Sequence, residues 1–232
     1  MAIQSSKAGE PAAVAKVRNA DALIDNGLSL ADRVYIYITE QISDGALRGG
    51  DVILESRLAE KLDLSRTPIR DALGRLEGEG LLVRSERALT VRKVTVKEFM
   101  DMLFIRRLVE PEAARLACGQ IPTADLLELR DRVDRNDWNA VDSRRWTLDE
   151  EIHLRIANAV HNDYMGELVR HLRRRTLLFE MIEFPGQIKS GREEHLRLID
   201  ALIENDPMKA RQAMQDHLDS LRDGVIEQLR SY

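Results

Sequence analysis

Residues 64–82 read LSRTPIRDALGRLEGEGLL and decide how the first part of the chain folds. Ile69, Leu73 and Leu76 recur at the spacing of one helix face. Pro68 is compatible with a helix only in its first turn, and two glycines end the apolar pattern. The stretch therefore predicts a short amphipathic helix that starts close to Pro68.

The sequence on either side of this helix completes a winged helix-turn-helix. Upstream, an amphipathic helix begins after Ser29, which can cap it, and RGGDVILE at 48–55 ends it. A second short helix, SRLAEKL at 56–62, precedes the quoted stretch. Downstream, residues 81–94 alternate around the polar tip SER, as the strands of a two-stranded hairpin do.

The start of the quoted helix carries hydrogen-bond donors suited to DNA. A recognition helix places its N-terminal residues in the major groove, where arginine binds guanine or clamps phosphate. The candidate DNA-binding residues are Arg57 from the preceding helix and Ser65, Arg66, Thr67 and Arg70. The plainer alternative is that the two helix arginines are solvated and paired with nearby acidic residues.

Composition favours two domains that are mostly α-helical. The chain has 232 residues, 44% hydrophobic and only 4% aromatic. The net charge of −5 hides an asymmetry, because residues 30–97 carry 12 basic against 11 acidic side chains and residues 98–232 carry 20 against 26. Nucleic-acid binding by the first part is therefore compatible with the acidic total. No apolar run has the length of a membrane span and no secretory signal is visible, so we expect a cytoplasmic protein without a membrane partner.

The segment LAEKLDLSRTPIRDALGRLEGEGLLVRSERALTVRKVT resembles the DNA-binding domain of GntR-family bacterial transcription regulators. The resemblance runs from about residue 30 to 95. It implies a homodimer whose two recognition helices bind a short palindromic operator, and it places Arg57, Arg66, Thr67 and Arg70 where family members contact DNA. The wing departs from the family pattern, because SERALTV replaces the usual glycine-containing tip.

The remainder resembles the FCD-type effector domain, an all-helical antiparallel bundle. FMDMLFIRRLVEPEAARLA is similar to its opening helix, DEEIHLRIANAVHNDYMGELV to the helix with its first metal ligands, and EEHLRLIDALIENDPMKARQAMQDHL to its closing pair. We therefore expect a mobile tail over residues 1–28, a DNA-binding domain over 29–95, and an effector-binding and dimerisation domain over 96–232. Together, the two resemblances imply that the protein is a transcription regulator that acts as a repressor. They do not imply an enzyme.

Three histidines lie on helix faces that look buried. Asp149 and His153 share one stripe with Ile156, and both His195 and His217 lie on apolar faces of the two closing helices. A buried polar group without a partner costs about 1–3 kcal/mol, and a divalent cation would satisfy all four groups together. The same pattern matches the metal-binding members of the FCD family. Zn, Ni, Mn and Fe all suit such ligands.

Arg106 matches an arginine that binds the carboxylate of a small organic-acid effector in some FCD relatives. A plain ion pair with Glu110, four residues further on, explains it equally well. The basic run RHLRRRT from Arg170 is typical of a solvated or inter-subunit face.

Two rival functions stay open at the level of sequence. In the first, the same regulator binds no metal and holds a larger ligand in its bundle. In the second, Asp149 and the three histidines form the centre of a metal-dependent enzyme. The bundle contains no clear nucleophile–base motif, which counts against the enzyme.

Overall fold

The computed structural model describes residues 28–85, 88–136, 138, 143–184 and 191–231, leaving aside the side chains of residues 143–147. The predicted N-terminal tail, apart from Leu28, and the wing tip at residues 86 and 87 lie outside these ranges. The described part contains nine helices and three short strands. The mostly α-helical fold predicted from the sequence is confirmed.

The N-terminal part is a winged helix-turn-helix. In chain order its elements are α1 (Leu30–Ser43), β1 (Val52–Ile53), α2 (Glu55–Leu62), α3 (Arg66–Gly78), β2 (Leu82–Ser85) and β3 (Ala88–Val91). Ser29 caps α1 in a capping box with Asp32, as the sequence predicts. Ser65 occupies the N-cap position of α3, but its hydroxyl makes no capping hydrogen bond.

The wing has one strand more than the sequence predicts. β2 and β3 form the expected antiparallel hairpin, in which Leu82 faces Val91. The two-residue strand β1 pairs with the other edge of β3, with Val52 opposite Thr90. Two residues carry too little alternation to predict a strand, and β1 forms because β3 offers it a free edge.

The C-terminal part is a bundle of six helices. They are α4 (Val96–Ala117), α5 (Thr123–Arg135), α6 (Ser143–Ala159), α7 (Asp163–Glu183), α8 (Arg192–Ile203) and α9 (Pro207–Arg230). The long helix α4 packs against α6, α7 and α9, and α8 packs against α5 and α9. Phe99 of α4 stacks on Phe179 of α7 with ring centroids 4.5 Å apart.

The two parts share an apolar core and a polar contact. α1 packs against α6 and α7 of the bundle, where Ser43 contacts the sulfur of Met181. At the C-terminal end of α3, Glu79 accepts a hydrogen bond from Tyr35 of α1 and pairs with Arg174 of α7. The C-terminal end of α3 is therefore linked to the bundle, and residues 65–67 at its N-terminal end are exposed.

Candidate metal centre and DNA-binding helix

Four side chains from three helices of the bundle converge. Asp149 and His153 lie one turn apart on α6, His195 lies in the first turn of α8, and His217 lies midway along α9. Each offers one ligand atom, and these four atoms lie within 4.8 Å of one another. The three imidazoles are buried among apolar residues, as their helical spacing predicts. The structure thus brings together the four predicted metal ligands.

The distances within this cluster suit first-row metals. Asp149 Oδ1 lies 3.0 Å from Nε2 of His195, and Nε2 of His153 lies 3.2 Å from Nε2 of His217. Ligands bound at about 2.0–2.2 Å and separated by angles of roughly 90–110° are about 2.8–3.6 Å apart. Asp149 Oδ1 and His153 Nε2 are wider apart, at 3.9 Å. Both close pairs therefore have the spacing of neighbouring ligands.

Carboxylates outside the cluster orient two of the imidazoles. Nδ1 of His153 contacts Oε2 of Glu110, and Nδ1 of His217 lies 3.1 Å from Oε2 of Glu194. A proton on each Nδ1 serves these hydrogen bonds and leaves each Nε2 with a free lone pair. Two lone pairs that face each other repel, whereas a cation between the two Nε2 atoms would bind both lone pairs.

His195 is the clearest sign that the cluster needs another partner. It is 0% exposed, and neither of its ring nitrogens has a hydrogen bond within the described residues. Asp149 Oδ1 lies 3.0 Å from Nε2, a separation at which both atoms can bind one metal ion. Trp138 stacks on the ring at 5.0 Å. A metal ion bound to Nε2 would satisfy an imidazole nitrogen that is otherwise buried at a cost.

The protonation states are those that metal ligands require. Burial raises the pKa of Asp149, but Arg173 and the neighbouring histidines outweigh it and hold that pKa well below its ordinary value. Burial, with Arg173 nearby, lowers the pKa of His153 to about 3. The pKa of His195 is lowered by burial and by His217. At neutral pH the carboxylate is ionised and these two imidazoles are neutral, so no proton needs to leave before a metal binds.

Two arginines line the same buried region. Arg173 pairs with Oδ2 of Asp149, so the ligand carboxylate is held from its far side. Arg106, 1% exposed, donates from Nε to Oε1 of Glu110 at 2.5 Å and from Nη1 to Oγ1 of Thr176 at 2.8 Å. The pairing of Arg106 with Glu110 is thus present. Nη2 of Arg106 and Nε of Arg173 are buried without a hydrogen-bond partner in the described part of the chain.

The candidate DNA-binding residues lie together on one exposed surface. Arg66 and Thr67 form the first turn of α3, Ser65 precedes them, Arg70 follows one turn later, and Arg57 projects from α2. All five are exposed. The surface is therefore open to a duplex.

Of the two helix arginines, Arg70 has an ionic partner, Glu55, at 2.8 Å. Arg70 is solvent-exposed and Glu55 partly exposed, and pairs at the surface contribute only about 0–1 kcal/mol, so a phosphate or a base can replace the glutamate. In the wing, Arg84 pairs with Glu77 of α3 at 3.1 Å.

Comparison with known families agrees with both halves of the fold. The family model of the FCD domain matches residues 101–220, and that of the bacterial regulatory proteins of the gntR family matches residues 30–91. The chain belongs to the GntR family, FCD branch. It is a DNA-binding transcription regulator and not an enzyme. Within the described residues, no helix combines the length and hydropathy needed to cross a membrane.

Individual relatives are also transcription regulators. The Nta operon transcriptional regulator of Aminobacter aminovorans is 28% identical over 186 residues, which are 79% of this chain and 88% of the relative. The Glc operon transcriptional activator of Escherichia coli K12 is 26% identical over 216 residues, 80% and 84% of the two chains. Among solved structures, E. coli McbR/YncC shares the fold with a TM-score of 0.67 at 24% identity, covering 87% of this chain and 99% of that one.

The structure adds residues to the centre of this GntR-family regulator that the sequence analysis did not assign to it. They are Glu110, Trp138, Arg173 and Glu194. The prediction that the run RHLRRRT is a solvated or inter-subunit face is wrong for Arg173, which is buried. A signal was present, because Arg173 shares a helix face with Val169 and Thr176, both buried. Glu194 gave no such signal, because the sequence shows it only beside His195 and not near His217, which it contacts in the structure.

Proposed function

We propose that this regulator is a cytoplasmic, operator-binding repressor whose bundle holds a divalent first-row metal and a small organic acid. Residues 29–95 would bind DNA, and residues 96–232 would bind the ligands and form the dimer. The observation that carries the proposal is the convergence of Asp149, His153, His195 and His217, with the buried His195 ring lacking hydrogen bonds within the described residues.

The donor set fits a metal that keeps open coordination positions. One carboxylate oxygen and three imidazole nitrogens would hold Zn, Ni, Mn or Fe, and a five- or six-coordinate ion would retain one or two free sites. When bound, the ion would supply a positive charge that attracts an anionic oxygen. Asp149 and His153 sit one helical turn apart, so half of the donor set is fixed by local structure.

The charges around the centre favour an anionic effector. Arg106 and Arg173 with a divalent ion provide four positive charges, against one each from Glu110 and Asp149. Even with Glu194 included, the region would stay positive. A carboxylate would reduce this excess and accept hydrogen bonds from the buried Nη2 of Arg106, which lacks a partner within the described residues. These observations support a small mono- or dicarboxylate as the effector, with Arg106 as its clamp.

A pair of adjacent ion pairs supports communication with the recognition helix. Asp149 of α6 pairs with Arg173 of α7 at the metal centre. The next residue on each helix forms the second pair, in which Arg174 Nε lies 3.2 Å from Glu150. Arg174 also contacts Glu79 at the end of α3, with Nη1 3.0 Å from Oε1. A shift of α6 against α7 on ligand binding would therefore reach α3 and change how two DNA-binding domains are spaced in a dimer.

An exposed apolar stripe on α4 supports the homodimer. Phe104 and Leu108, one turn apart, are 58% and 60% exposed, and Ile105 lies beside them. Apolar side chains clustered on one face of a helix mark an interaction surface. Two copies of this chain would cover the stripe isologously about a two-fold axis, the symmetry that a palindromic operator requires.

The deciding experiment measures metal content by mass spectrometry in protein purified without a metal-affinity tag. We expect about one first-row metal ion per chain, absent from a His153→Ala, His217→Ala variant. A His161→Ala, His171→Ala variant is the matched control, because both of these histidines are exposed. If neither the wild type nor the control contains metal, even after incubation with Zn²⁺, Ni²⁺, Mn²⁺ and Fe²⁺, the metal centre is refuted. The metal-free regulator is then favoured.

A further inference from the structure

We propose that Glu110 is a positioning residue of the metal centre, which orients His153 for ligation and ties it to Arg106. The inference rests on the proposed metal. Glu110 lies on α4, outside the four donors, and its side chain is 2% exposed. Its Oε2 contacts Nδ1 of His153, and its Oε1 accepts from Nε of Arg106 at 2.5 Å. Each carboxylate oxygen thus has a separate partner.

The contact with His153 decides which ring nitrogen can bind a metal. A neutral imidazole has one N–H and one lone pair. With the proton on Nδ1 held by Glu110, the lone pair is on Nε2, which lies 3.2 Å from Nε2 of His217. A carboxylate behind a ligating imidazole also increases its basicity, and mutation of such a partner lowers metal affinity about 10–100-fold.

Three further buried groups hold Glu110 in place. Arg106 is fixed at its other side by Oγ1 of Thr176, which accepts from Nη1 at 2.8 Å. The hydroxyl of Thr176 in turn donates to the backbone oxygen of Arg173 at 3.0 Å. The chain of contacts therefore runs from α7 through Arg106 and Glu110 to His153. An acid bound to the remaining Nη2 of Arg106 would act on a residue that already positions a metal ligand.

Glu194 provides a matched comparison within the same centre. It faces Nδ1 of His217 as Glu110 faces Nδ1 of His153, but its side chain is 19% exposed. Water can replace an exposed carboxylate as the acceptor of an imidazole N–H, whereas nothing replaces a carboxylate buried among side chains. We therefore expect a larger loss of metal affinity at Glu110 than at Glu194.

The experiment titrates metal-free full-length protein with Zn²⁺ in competition with a chromogenic chelator. Glu110→Gln should bind Zn²⁺ about 10–100-fold more weakly than wild type, and Glu194→Gln should lose several-fold less. Glu110→Asp keeps the buried negative charge, but its side chain is one methylene shorter and no longer reaches Nδ1 of His153 as closely, so the variant should fold and still lose affinity. Co²⁺-loaded protein gives a second readout, because the visible absorption bands should shift in both Glu110 variants.

The outcomes separate this inference from the proposed function. Wild-type protein that binds no metal overturns both. If wild-type protein binds Zn²⁺, and Glu110→Gln and Glu110→Asp bind it equally well with unchanged Co²⁺ spectra, only the role of Glu110 is overturned. Nitrogen-15 NMR of Zn²⁺-loaded wild type tests the tautomer without any substitution. A proton on Nδ1 of His153 is expected, and ligation through Nδ1 would contradict the proposal.

Discussion

Replacing His195 by leucine should have opposite effects on the metal-free protein and on its response to metal. His195 is fully buried, its pKa is lowered so that it is neutral, and neither ring nitrogen has a hydrogen bond within the described residues. An unsatisfied buried group costs about 1–3 kcal/mol, and a volume-conserving replacement in a core usually costs less than about 1.5 kcal/mol. Asp149 stays paired with Arg173 in the variant. The metal-free variant should therefore be more stable than metal-free wild type by about 1 kcal/mol.

The metal response should change in the other direction. Zn²⁺ at about 100 times its dissociation constant should add about 2.7 kcal/mol to the free energy of unfolding of wild-type protein. For a chain of this length, about 2–4 °C of Tm accompanies each kcal/mol, so Tm should rise by roughly 5–10 °C. His195→Leu should lose most of this rise.

Thermal and urea unfolding of both proteins, with and without Zn²⁺, measures the four stabilities. A metal-free His195→Leu variant that is less stable than wild type by more than about 1 kcal/mol would show that the ring has satisfied partners. The His195 ring would then need no metal ion to satisfy it. An unchanged Zn²⁺ response in the variant would show that His195 is not a ligand.

Three further predictions concern DNA binding and assembly. Their common control is Arg155→Ala, which removes a partly exposed ion pair with Glu151 on α6, away from the DNA-binding helix. Arg66→Ala should weaken operator binding by about 1–3 kcal/mol in a fluorescence anisotropy titration, and unchanged affinity would remove this residue from the interface. Arg174→Ala should keep the metal affinity and the metal-free operator affinity of wild type. It should lose the change in operator affinity that metal and acid produce in wild type. A full change in the variant would show that the contact of Arg174 with Glu79 does not transmit the ligand signal to α3. Phe104→Ser with Leu108→Ser should give monomers by light scattering and weaken binding to a palindrome far more than to a half-site, whereas intact dimers would place the interface elsewhere.

Local patterns were sufficient for most of the fold because they act within a helical turn. Ser29 with Asp32, Pro68, and the spacing of Ile69 and Leu73 each concern residues at most four apart, and the capping and helix positions follow from them. The sequence did not predict β1, because this strand depends on a contact that is distant along the chain. Its pairing with β3 joins segments almost forty residues apart, and two residues carry no periodicity of their own.

The ligand quartet was predictable because helical phase reveals which side chains face inward. His153 and His195 lie on apolar stripes, and so many inward polar groups require a common partner. Helical spacing does not reveal which helices pack together or which carboxylate contacts which imidazole. The contacts of Glu110 with His153 and of Glu194 with His217 cross 43 and 23 residues, and the packing of α4, α6, α8 and α9 sets them.

By itself, the sequence determined the helical class, the winged helix-turn-helix, the exposed arginines at the start of α3 and the inward direction of the histidines. All of these depend on spacing along a single helix or hairpin. Only the tertiary structure decided that Glu110 contacts His153, that Arg173 holds Asp149 and that Arg174 reaches Glu79. The physical reason is that a charged side chain can pair with any of several acidic groups until the packed helices leave one within reach.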